Sequence, residues 1–73
     1  MRSRIVPVYI VETAKEDIGI KDNRALQALA TLIRTNEPIV SEKVALTDTG
    51  VQSHGQVAIN PAHVIAIRPV AGR

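Results

Sequence analysis

Apolar residues recur along this chain with two periods, and the switch between them marks out its elements. In "DNRALQALATLIRTNEP" (22–38), Ala25, Leu26, Leu29, Leu32 and Ile33 return at helical spacing, while Arg24, Gln27, Thr31 and Arg34 fall on the other side. Asp22 is placed to cap the first amides, Arg34 suits the negative C-terminal end, Asn36 tolerates the left-handed conformation, and Pro38 blocks continuation. The pattern predicts one amphipathic helix over 23–35.

Elsewhere the period is two. "RIVPVYIVE" (4–12) sets Ile5, Tyr9 and Val11 on one side and Val6, Val8 and Ile10 on the other, with Pro7 marking an edge or a bulge. "TAKEDIGIK" (13–21) opens with Thr13 and Glu16 at capping-box spacing, but Gly19 follows too soon for more than a turn. It reads as a loop anchored by Ile18 and Ile20. After the helix, "PIVSEKVALT" (38–47) puts Val40, Val44 and Leu46 on one face, with Glu42 out of pattern. "DTGVQSHG" (48–55) reads as a polar connection to a further strand. "QVAIN" and "HVIAIR", separated by Pro61, then predict a last hairpin in which Val57 and Ile59 point one way and Val64 and Ala66 oppose Ile65 and Ile67.

The order β-α-β-β-β predicts a single α+β domain over 1–73: a small, mainly antiparallel, twisted or partly curled sheet with one amphipathic helix on one face. One helix covers one face only. The other carries Val6, Val8 and Ile10 together with Val64 and Ala66, which leaves a large apolar patch unless a partner covers it or the sheet curls on itself. Those five residues are the candidate oligomer interface, and a homodimer is the expected assembly.

Size sharpens this expectation. At 73 residues the chain lies near the lower limit for a self-sufficient core, and ordering it costs on the order of 100 kcal/mol. Cysteine is absent, so disulfides and cysteine-based zinc sites are unavailable, and oligomerisation remains the common way to gain stability. Apolar residues make up 45% of the chain, yet Tyr9 is the single aromatic, so the core must be aliphatic. No apolar run approaches the ~18 residues of a membrane span. The opening "MRSRIVPVYIVET" is too interrupted for a signal peptide, so a cytoplasmic chain without membrane contact is expected.

Net charge is +2, but all seven acids lie between Glu12 and Asp48, with Arg2, Arg4, Arg68 and Arg73 at the two ends. If the end strands are neighbours, these arginines form one basic patch, and with Lys43 they are the candidate contacts to RNA or DNA phosphates. Small curved sheets, including ring-forming Sm-like barrels, use such surfaces. Against this stands the missing ring surface, since base-stacking sheets carry several aromatics and this chain has one.

Chemistry-bearing motifs are few. "VALTDTGV" (44–51) resembles the active-site signature of retroviral-type aspartic proteases, a resemblance that implies a dimer in which each Asp48 contributes one carboxylate to a proton-sharing pair. The pattern then departs: 23 residues follow Gly50, too few for that family's flap and later glycine-bearing strand, and Asp48 and Gly50 equally suit a turn. Ser53 and His54 are adjacent in sequence, a poor arrangement for a nucleophile and its base. Two histidines without clustered carboxylates predict no metal site within one chain, and no cofactor is expected. "INPAHVIAI", with the strand and loop before it, is similar to a short pattern in small bacterial and phage proteins, including flagellar regulators, and encodes mainly a turn. The leading expectation is a non-enzymatic, homo-oligomeric protein-binding or regulatory module of the kind common in phage and mobile elements. An RNA- or DNA-binding module is the alternative, and sequestration of a small ligand between subunits is the third.

Overall fold

The computed structural model describes residues 6–48 and 50–70. They form an α+β domain: a five-stranded antiparallel sheet, not closed, with one helix. The strands are β1 (Val8–Thr13), β2 (Asp17–Lys21), β3 (Ile39–Thr47), β4 (Gly50–Ile59) and β5 (Val64–Pro69), and helix α1 (Leu26–Arg34) links β2 to β3. Strand order across the sheet is β4-β3-β2-β1-β5.

The fold class agrees with the sequence, while the element order gains a strand. Residues 17–21, expected as loop, pair with β1 so that Ile18 faces Val11 and Ile20 faces Tyr9. The capping-box spacing before them builds the hairpin turn: Thr13 Oγ1 accepts hydrogen bonds from the Glu16 amide (3.1 Å) and the Lys15 amide (3.3 Å). Gly19 lets β2 and β3 approach. A Cβ there would lie 2.8 Å from the Val44 carbonyl oxygen, a backbone atom that cannot swing away. Gly19→Ala is therefore expected to cost about 1–2 kcal/mol by forcing the two strands apart, read as a lower urea midpoint with an unchanged slope.

Two further expectations are corrected. Residues 50–55 belong to β4, whose Gly50 stands opposite Thr47 of β3, so 50–55 are strand and not part of a long connection. Nor do the last two strands form a hairpin, since β4 and β5 occupy opposite edges of the sheet. Asn60 accepts the Ala62 amide on its side chain (2.9 Å) and starts a 3-10 turn at Pro61–His63. Four residues joining the two edges, three of them rising only ~2 Å each, cannot span the ~19 Å between the edges of a flat five-stranded sheet. The sheet therefore curls strongly, bringing its edges toward each other.

The concave side holds the core of Tyr9, Val11, Ile20, Leu29, Ile39 and Ile59, with Ile18, Leu26, Leu32, Ile33, Val57, Val64 and Ile67 packed around it. Leu29 is the one fully buried side chain of α1. The helix is shorter than 23–35, and its end is the predicted one: Asn36 adopts φ 63°, with the Glu37 amide bonded to the Leu32 carbonyl (2.8 Å) and the Asn36 amide to that of Ile33 (3.1 Å).

Asp22 does not cap the helix, whose first flanking residue is Ala25 with no side-chain cap. Its buried carboxylate accepts instead from the Arg24 amide (2.8 Å), Arg24 Nε (2.8 Å), Arg24 Nη2 (2.7 Å) and the Ser41 hydroxyl (2.6 Å). Arg24 Nη2 also donates to the Val40 carbonyl (3.0 Å), and the Tyr9 hydroxyl donates to the Arg24 carbonyl (2.8 Å). This network clamps the β2–α1 link onto β1 and β3. The Arg24 guanidinium, followed by the Ser41 hydroxyl and the Arg24 amide, holds the Asp22 carboxyl well below the usual carboxylate range against the opposing effect of burial. Asp22 in turn raises Arg24.

Candidate interaction surface

Directly opposed residues of paired strands share a face, so the register fixes what lies on the convex side. One row runs Arg68–Ile10–Gly19–Val44–Ser53 across all five strands. A second runs Val8–Lys21–Glu42–Gln56. Beyond Val44 the pairing with β2 ends, and Leu46 stands opposite Val51 with a strand on one side only. Residues 45–47 and 50–52 thus form a two-stranded ribbon, a type of structure that is marginal in water without further packing.

Val44 is only 4% exposed yet lies outside the main core, its side chain over Gly19, with Cγ2 3.5 Å from where a Cβ would stand. From it an apolar stripe leads along the ribbon to Leu46 (51% exposed) and Val51 (46%), and toward half-buried Ile10 on the sheet. Val40 (53%) shares this side of β3 with Glu42, Val44 and Leu46 by alternation, opposite Ala58. Val44 is covered, while Val40, Leu46 and Val51 each keep about half of their surface exposed among the described residues.

The two edges of the sheet differ. β5 carries Arg68 and Pro69, and one of its residues, Ile65, is looped out where the register shifts between Glu12↔Ala66 and Thr13↔Val64. Charge, proline and bulge are the devices that keep an edge from pairing. β4 has no Asp, Glu, Lys, Arg or Pro in its ten residues. It does contain one bulge: while β3 advances from Glu42 to Val44, β4 advances from Gln56 to Ser53, which places an extra residue at His54–Gly55, with Gly55 at φ 87°.

The residues singled out in the sequence are only partly brought together. Val8, Ile10 and Ala66 lie on the convex face, and Val6 is half-buried just before β1. Val64 packs against the core, because the bulge at Ile65 puts it on the concave side with Ile67 instead of leaving it on the side of Ala66, as expected from alternation. Arg68 projects on the convex face, where its Nε donates to Glu12 Oε2 (3.1 Å). Lys43 pairs with Ile20 and so belongs to the other face. Arg2, Arg4 and Arg73 lie outside the described residues. Tyr9 is buried, so its ring offers no stacking surface.

Sequence reasoning missed Val51 and the β4 edge. The common face of Val40, Val44 and Leu46 was readable, but the side it takes was not. Asp48, the carboxylate of the protease-like motif, is exposed in the turn between β3 and β4, and Ser53 and His54 are exposed on β4. A cleft of about 390 Å³ lies between the β1–β2 turn and the end of β4, lined by Thr13, Lys15, Glu16, Ile18, Asn60 and His63 among others. The Thr13 hydroxyl and the Asn60 side chain are already engaged in their own turns. Among the described residues no three His, Cys, Asp or Glu side chains gather as metal ligands. No described helix is long and apolar enough to cross a membrane.

Comparison with protein-family models, with curated proteins and with solved structures finds no match to this chain.

Proposed function

We propose that this chain is a non-enzymatic binding or regulatory module that works as a homo-oligomer, in its simplest form a dimer, and offers a protein partner the surface that assembly creates. The observation carrying this reading is the ribbon. Leu46 and Val51 stand opposite each other about half exposed, on two strands with no third beside them among the described residues. An apolar pair on an otherwise marginal hairpin is stabilised when a second surface packs on it. Burying the exposed half of each such side chain contributes about 1 kcal/mol, so a second surface packed here favours association.

The test is native mass spectrometry together with sedimentation at micromolar concentration. A mass of twice 7.9 kDa is the expected result, and a strict monomer over the whole range would overturn the reading. Nucleic-acid binding has less support, because Lys43 and Arg68 lie on opposite faces and Arg68 is paired with Glu12.

A further inference from the structure

We infer that two copies of this chain join edge to edge through β4, pairing antiparallel about a two-fold axis centred on Gln52, so that the two ribbons become one four-stranded sheet. The inference rests on the homo-oligomeric reading above and names its surface and partner.

Three observations carry it. Among the described residues β4 pairs with β3 alone, which leaves its other edge with backbone N–H and C=O groups directed away from the sheet, in a strand without Asp, Glu, Lys, Arg or Pro. The opposite edge, β5, carries a charge and a proline that β4 lacks and is bulged as well, so a β4-to-β5 chain of subunits is disfavoured and a β4-to-β4 pair on the unbulged part of β4 is left. Finally, self-pairing sets like against like. Any charge near the axis would face its own copy, and from Val44 to Ile67 the one Asp, Glu, Lys or Arg is Asp48. Antiparallel pairing sends the two Asp48 turns to opposite ends of the new sheet.

The register follows from geometry. A two-fold axis perpendicular to a sheet sets one residue opposite itself, and an axis that joins the two ribbons without crossing the bulge at His54–Gly55 lies midway along Gly50–His54. That midpoint is Gln52. Val51 then faces Ser53 of the second copy, and the convex stripe runs from Leu46 and Val51 of one ribbon onto Ser53 and Val44 of the other. An isologous pair closes at two copies.

Gln52 shares its face with Ala45, not with Leu46 and Val51, so charging it leaves the apolar stripe intact. We would make Gln52→Lys and Gln52→Glu in the full chain, verify their folds by circular dichroism and amide spectra, and measure dimerisation by sedimentation at low salt. Each variant alone should raise the dissociation constant about tenfold or more, because like charges meet at the axis, and an equimolar mixture should restore dimer as a mixed pair. In the wild type, amide exchange over 50–53 should slow with rising concentration. A wild-type dimer unaffected by either variant, a mixture no better than its components, or a ring of more than two copies would each overturn edge pairing while leaving the homo-oligomeric reading in place. A monomeric wild type would overturn that reading itself.

Discussion

Leu29→Ala is expected to remove about a third to a half of the domain's stability. Leu29 is the fully buried side chain through which α1 grips the sheet, and it sits among Tyr9, Val11, Ile20, Ile39 and Ile59, which come from four different strands. Removing three carbons there forfeits transfer energy and leaves a cavity, together about 2–5 kcal/mol. At roughly 0.05–0.15 kcal/mol per residue, 73 residues give a total stability of only about 4–11 kcal/mol. The helix has no side-chain cap at its start and spans nine residues, too few to persist alone in water, so its helicity depends on this contact. Urea titration followed by far-ultraviolet circular dichroism should show helix and sheet signals lost together at a much lower midpoint. Leu29→Met, which keeps the volume, should cost less than about 1.5 kcal/mol. If Leu29→Ala leaves the midpoint within error of wild type, the helix is not part of the cooperative core.

What was readable in the sequence was whatever is decided locally. The helix stood out because Leu26, Leu29 and Ile33 repeat at its period and because Asn36 and Pro38 end it, and these signals act within a turn of the residues that carry them. β1 was readable from its alternation. β2 was not, because five residues with a glycine in the middle give almost no period. What selects Gly19 is the Val44 carbonyl 25 positions further along the chain. Asn60 and Pro61 announce a turn correctly, but the same dipeptide serves a hairpin or a crossing. Only the curl of the whole sheet decides that β4 and β5 go to opposite edges. Val64 was assigned to the wrong side of its strand because a looped-out Ile65 breaks alternation without any residue type that marks it. The convex surface was half legible. The even-numbered residues of β3 plainly share a face, but which face turns inward depends on where the helix lands. At the inward position Ser41 the chain carries a hydroxyl that serves Asp22, which makes the buried side of β3 look more polar than the exposed one.

That same carboxylate governs the second large effect. Asp22→Asn should destabilise the domain by about 2–3 kcal/mol at neutral pH, since the amide loses charge-assisted bonds from Arg24 and turns a donor toward other donors. The figure stays below the ~3–5 kcal/mol of a fully buried pair because the Arg24 side chain is 40% exposed and can rehydrate. The dependence on acid follows from the direction of the Asp22 shift. Its folded-state carboxyl holds a proton more weakly than the unfolded one, so in the ordinary carboxylate range the unfolded chain binds more protons and stability falls as pH drops. The contribution is fully present above about pH 5 and is lost progressively as pH falls through and below the range where free carboxylates titrate. Wild type and Asp22→Asn, compared by urea titration from pH 7 down to pH 2, should therefore converge, with the variant showing the shallower loss. Parallel curves separated by a constant gap would mean that Asp22 stabilises the β2–α1 link through its shape and not through its charge. Arg24→Lys discriminates further. A single ammonium cannot reproduce the forked contact to both carboxylate oxygens while still reaching the Val40 carbonyl. It should retain part of the pH dependence but lose part of the stability, because charge survives that exchange and the clamp between helix and sheet does not.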